Sequence, residues 1–247
     1  MSHSTDPVIS VVNLVKAFGT HYALRGISLQ VAQREVTAIF GPNGAGKTTF
    51  LRILSGLSRP TSGEALIDGR PLNENPQAMR QHLGVIGHQS FLYGELTAAE
   101  NLFFYGRLYG LANLKQRVEQ ALNEVGLAER ASNHISTFSR GMQQRLAIAR
   151  AMIHNPNILF LDEPFTGLDQ HAATMLTGWL RRLRSEARTI LLVTHDLEQG
   201  LSLADRLIIF VAGRMVFDQR TASLSAEQFR RAYFEHVAAG RGGVRDG

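Results

Sequence analysis

The stretch Val36-Thr37-Ala38-Ile39-Phe40-Gly41-Pro42-Asn43-Gly44-Ala45-Gly46-Lys47-Thr48-Thr49 decides how the rest of the chain is read. Five mostly apolar residues stop at a glycine, as a strand buried on both faces does. The next eight match G-x-x-x-x-G-K-[ST], a glycine-rich turn between a strand and a helix that exposes successive backbone N–H groups to phosphate oxygens. The following helix, expected over 47–57, adds the positive end of its dipole. Lys47 supplies a point charge for β and γ phosphates, and the Thr48 hydroxyl is placed to ligate Mg²⁺.

Two further strand ends carry chemistry. Ile158-Leu-Phe-Leu161 runs into Asp162 and Glu163. Beside a phosphate loop, Asp162 is the acid expected to hold Mg²⁺ through water. Strand alternation turns Glu163 to the other side, where it serves as general base for an attacking water. Thr189-Ile-Leu-Leu-Val193 leads to His195. Ligands of open α/β sheets collect at such carboxyl ends, so this imidazole is expected near the γ-phosphate. His3, His21, His134, His154 and His236 are read as surface residues.

Strands alternating with helices give an α/β fold with a mostly parallel sheet. Two departures stand out. Val8 to Leu29 reads as antiparallel β, and residues from about 90 to 154 are almost all helical, inserted between the strands at 83–86 and 158–161. Thr97-x-x-Glu100 opens one of these helices as a capping box, and further helices are expected over 114–125, 142–153 and 172–183. Residues 206–211 and 215–218 flank a glycine turn and read as a hairpin. The expected organisation is a tail at 1–7, one domain at 8–218 and an extension at 219–247, disordered from Gly240 onward.

Composition narrows the function classes. The chain has 247 residues and no cysteine, which excludes a thiol nucleophile and a Cys-based zinc site. Its 26 basic and 21 acidic residues give +5, without the long basic run that a dedicated nucleic-acid binder would concentrate. No apolar stretch reaches the about 20 residues of a spanning helix. A cytosolic chain is expected, linked to a membrane only through another protein.

Phe138-Ser139-Arg140-Gly141-Met142 carries the family resemblance. It resembles the signature motif of ABC ATPases, L-S-G-G-Q, with Arg140 and Met142 departing from the pattern and Ser139 and Gly141 retained. Gln89 resembles the Q-loop glutamine, Thr166-Gly167-Leu168-Asp169 the D-loop and His195 the switch histidine. Phe18 stands where the family keeps an aromatic that stacks on adenine. The resemblance spans Val8 to Asp218. It implies a P-loop NTPase of the ABC type with an N-terminal antiparallel β subdomain and an inserted helical subdomain. Two ATP molecules would lie in a head-to-tail dimer, each gripped by one copy's loop and the other's Ser139 and Gly141. Gln89 would join Thr48 and Asp162 at Mg²⁺ and act with Glu163 and His195 in hydrolysis. Arg140 either adds positive charge near the phosphates or points to solvent.

Size and the helical insert favour the ATPase subunit of a transporter over a soluble ABC ATPase or a P-loop kinase or GTPase. Its partner would be an integral membrane permease, on the cytoplasmic face of the cell membrane. The runs Ile86 to Leu102 and Leu161 to Thr166 resemble the ATP-binding subunit of the haem exporter of cytochrome c maturation; the alternative is a multidrug or polysaccharide exporter. Phe91, Leu92 and Tyr93 read equally well as a docking surface or as subdomain core.

Overall fold

The computed structural model describes residues 7–72, 74, 79–87 and 90–242. An antiparallel sheet is built from β1 (Ile9–Phe18), β2 (His21–Val31), β4 (Ser62–Ile67) and β5 (Arg70–Pro71), in the order β2-β1-β4-β5. The core sheet takes β3 (Val36–Phe40), β6 (Leu83–Ile86), β7 (Ile158–Asp162), β8 (Thr189–Val193), β9 (Arg206–Val211) and β10 (Arg214–Arg220), in the order β10-β9-β3-β8-β7-β6. From β9 to β6 neighbouring strands run parallel, and β10 closes one edge as an antiparallel hairpin partner. β6 is the other edge.

The helices are α1 (Lys47–Leu54), α2 (Ala98–Leu108), α3 (Leu114–Glu124), α4 (Arg140–Met152), α5 (Gln170–Ser185), α6 (Leu197–Leu203) and α7 (Ala226–Gly242). Their starts follow local chemistry. Thr97 and Glu100 exchange the two bonds of a capping box, 3.2 and 2.8 Å, at α2. The Ser139 side chain accepts from Met142 N at α4, and that of Asp169 accepts from Ala172 N at α5. Among the described residues no helix is long and apolar enough to cross a membrane.

β3, β7 and β8 are buried at every residue, because both faces of the core sheet are covered. Ile39, Phe160, Leu191 and Phe210 face the antiparallel sheet and α1. Ala38, Phe40, Leu161, Leu192 and Ile209, one residue away on each strand, face the helical side.

β4 carries no strand signal in the sequence: Ser62 and Gly63 give it no apolar alternation, and its pairing rests on space. A Cβ on Gly63 (φ 87°) would stand 2.2 Å from Asn13 O, at a bulge in β1. The disorder expected from Gly240 onward falls mostly on residues 243–247, outside the described residues. α7 continues to Gly242 because Phe229 is fully buried against Phe40, ring centroids 4.9 Å apart, and Gly240 lies against Val211. His154 is half-buried rather than on the surface: its ring stacks on Tyr109 at 3.8 Å, and its Nε2 donates to Leu83 O at 3.0 Å. His3 lies outside the described residues.

Candidate active site

The glycine turn leaves the carboxyl end of β3, at the centre of the core sheet. Its shape needs glycine at two places. A Cβ on Gly41 would stand 2.1 Å from Phe210 O, and one on Gly46 (φ 98°) would stand 2.4 Å from Ala23 O. The turn is braced from outside by Gly213 N, which donates to Ala45 O at 3.1 Å. α1 then begins with no side-chain cap and no acidic residue in its first turn, so its leading N–H groups meet no local competitor for an anion.

Lys47 is buried, and its Nζ donates to Gly41 O at 2.6 Å and Pro42 O at 3.1 Å. Burial pulls its pKa below the ordinary lysine value, while the charges of Glu163 and Asp162 act in the opposite direction. Phe18, His21, Ala23, Asn43, Gly44, Ala45, Gly46, Lys47, Thr48, Thr49 and Glu163 border one cleft of about 450 Å³. Phe18 sits on the rim, 56% exposed, with Lys16 Nζ 4.8 Å from its ring centroid. His21, which no motif singled out, is brought there by the β1–β2 turn.

Thr48 also borders a second cleft of about 420 Å³, shared with Asp162, Val85, Ile86, Gly87 and Phe91. Its Oγ1 donates to Asp162 Oδ1 at 3.1 Å. A hydroxyl and a buried carboxylate so close make a hard oxygen pair, which fits Mg²⁺.

Glu163 reaches the first cleft by a route other than strand alternation. β7 ends at Asp162, and Glu163 adopts φ 52°, the left-handed region. Its backbone N donates to Val193 O at 2.9 Å, and its Oε2 accepts from His195 Nδ1 at 2.7 Å and from His195 N at 3.3 Å. His195 is exposed and stands just past β8.

Ser139 and Gly141 line neither cleft. They stand at the tip of α4 with Ser139 exposed. Arg140 lies against the turn before α5: a Cβ on Gly167 would stand 2.4 Å from its Cζ. The structure thus brings the glycine loop, Phe18, Asp162, Glu163 and His195 together and leaves the Ser139 tip apart. Gln89 lies outside the described residues.

A buried lysine in a glycine turn, a hydroxyl–carboxylate pair and a carboxylate–imidazole pair at parallel-strand ends define a P-loop nucleotide hydrolase. Residues 24–166 match the family model described as ABC transporter, and the chain belongs to that family of transport-coupled ATP hydrolases. It is 38% identical over 205 residues to the ABC transporter ATP-binding protein NatA of Bacillus subtilis (strain 168), covering 82% of this chain and 83% of that protein. It is 37% identical over 224 residues to the daunorubicin resistance ATP-binding protein DrrA3 of Streptomyces coeruleorubidus (90% and 71%). It is 36% identical over 219 residues to a Nod factor export ATP-binding protein I of Cupriavidus metallidurans (88% and 72%). Among solved structures, an ATP-binding subunit of an ABC transporter superposes with TM-score 0.83 at 30% identity, over 94% of this chain and 98% of the other. A dimeric post-hydrolysis state of the ATP-binding cassette MJ0796 bound to ADP and Pi superposes at 0.79, also at 30% identity, over 86% and 98%.

Proposed function

We propose that this chain powers an exporter by binding and hydrolysing ATP between two copies of itself. The supporting observation is the division of its groups: one cleft carries the glycine loop, Phe18 and Glu163, while Ser139 and Gly141 stand elsewhere on the surface. A second copy, turned head to tail, is the natural source of the missing helix tip. The solved relative that is a dimer bound to ADP and Pi supports the same arrangement.

In this reading the loop N–H groups and Lys47 hold the phosphates, and Phe18 takes the base by stacking. Thr48 and Asp162, with Gln89, would hold Mg²⁺, which supplies charge neutralisation on the phosphate oxygens. Glu163 orients and deprotonates the attacking water, and His195 fixes the Glu163 carboxylate while its own second nitrogen is left for the γ-phosphate. The bond to the carboxylate takes a proton on Nδ1, so Nε2 donates to a phosphate oxygen only when the ring is the doubly protonated imidazolium.

The partner is proposed to be an integral membrane permease, so that the chain works on the cytoplasmic face of the membrane. The helical insert offers an aromatic surface for it: Phe91, Tyr93 and Phe104 are 40, 49 and 37% exposed, with Leu108 at 65%. Leu92 packs into the core, so the run Phe91 to Tyr93 divides between surface and interior. Within exporters, relatives named for Nod factor export and daunorubicin resistance support the multidrug or polysaccharide class over haem, which has only the motif resemblance behind it.

Purified protein is expected to hydrolyse MgATP and to cosediment with membranes containing its permease, and Lys47→Ala to lose hydrolysis. Wild-type turnover by Lys47→Ala, or sedimentation with nucleic acid instead of membranes, contradicts the reading.

A further inference from the structure

Arg150, near the end of α4, is buried where no motif demands a charge. Its Nη2 donates to Val85 O at 2.6 Å, on the free edge of the edge strand β6. Its guanidinium carbon lies over two rings, 5.4 Å from the centroid of Phe91 and 5.3 Å from that of Tyr105. The Tyr105 hydroxyl in turn donates to Phe91 O. One turn further on, His154 donates to Leu83 O, and Gly84 lets β6 approach Ala151 O, which a Cβ there would reach to 2.7 Å. Arg150 Nε and His154 Nδ1 are buried with no hydrogen-bond partner.

A half-satisfied buried guanidinium costs stability, and an apolar side chain of similar volume would be cheaper. What the arginine supplies is reach: Val85 and Phe91 lie on either side of the segment leaving β6, and both are walls of the cleft that holds Thr48 and Asp162. Tyr105 belongs to the same helix as the exposed Phe104 and Leu108. We propose that Arg150 is a positioning residue that fixes the wall of the Thr48–Asp162 cleft and ties it to the aromatic surface of the helical insert. The proposal rests on reading Thr48 and Asp162 as the metal side of the site.

The test compares Arg150→Lys, Arg150→Met and Tyr105→Phe with wild type. ATP affinity is measured in EDTA, kcat and KM in MgATP, half-saturation by Mg²⁺ and Mn²⁺ in steady state, and Tm throughout. Both Arg150 variants are expected to keep metal-free ATP binding, because the glycine loop is untouched. Their kcat should fall about 10- to 100-fold, the penalty of a site displaced by about an ångström, with half-saturating metal shifted upward. Tyr105→Phe should shift both in the same direction by less. Unchanged kcat and metal dependence in folded Arg150→Lys overturns the proposal, as does a loss of ATP binding in EDTA that parallels Tm. Thr48→Ala is the control. If it too leaves metal dependence unaltered, the reading of the cleft falls; if it abolishes that dependence while the Arg150 variants do not alter it, only Arg150's role falls.

Discussion

His195 Nδ1 stands 2.7 Å from Glu163 Oε2, and the same oxygen accepts from the His195 backbone N at 3.3 Å. The ends of β7 and β8 are thereby joined through one carboxylate oxygen, which leaves Oε1 for water. Glu163→Gln keeps the size of the side chain and removes the proposed base, so kcat should fall about 10²- to 10⁴-fold with little change in KM. His195→Ala removes the bracket and should cost about 10- to 100-fold. Steady-state phosphate release measures both; equal and small losses would argue against a base at Glu163.

Gly46 precedes Lys47 with φ 98°, and a Cβ there would stand 2.4 Å from Ala23 O. Gly46→Ala combines strain with a backbone clash. It should cost about 1–3 kcal/mol from the dihedral alone and abolish nucleotide binding. The urea midpoint and binding of a fluorescent ATP analogue report the two separately.

His154 predicts an acid limb of stability. Burial, with Arg150 and His82 acting in the same direction, pushes its pKa down to about 4 from 6.5, against the opposing bond to Leu83 O. The unfolded chain takes up this proton first, so the contribution is complete above pH 6.5 and is lost as pH falls from 6.5 to about 4. The loss is on the order of 3 kcal/mol. His154→Phe, which keeps the ring against Tyr109, should flatten Tm against pH in that window; an unaltered profile would exclude His154 as its source.

Phe229 is fully buried against Phe40, the residue before Gly41. Phe229→Ala should cost about 3–5 kcal/mol, and chemical denaturation would show it. A loss below 1 kcal/mol would mean that α7 is not anchored there.

The legible parts of the sequence were those in which one local rule decides. The glycine turn, the capping box at Thr97 and the apolar runs of β3, β7 and β8 each state their own conformation. β4 and α7 were missed because tertiary contacts decide them: Gly63 is needed only because Asn13 passes beside it, and Gly240 only because Val211 does. His154 and Arg150 were missed for the same reason, their partners lying on β6 more than 60 residues away. Strand alternation turns Glu163 to the side opposite Asp162, but the strand stops one residue earlier and a left-handed φ does the aiming. Arg140, open between two roles, proved to lie on Gly167.

Light scattering of Glu163→Gln, alone and with a second change Ser139→Arg, tests the shared site most directly. With MgATP, Glu163→Gln should move from the 27.3 kDa monomer to twice that mass, and the double variant should stay monomeric while still binding nucleotide. A Glu163→Gln protein that remains monomeric at saturating MgATP, or a double variant that dimerises as well as the single one, would contradict the account.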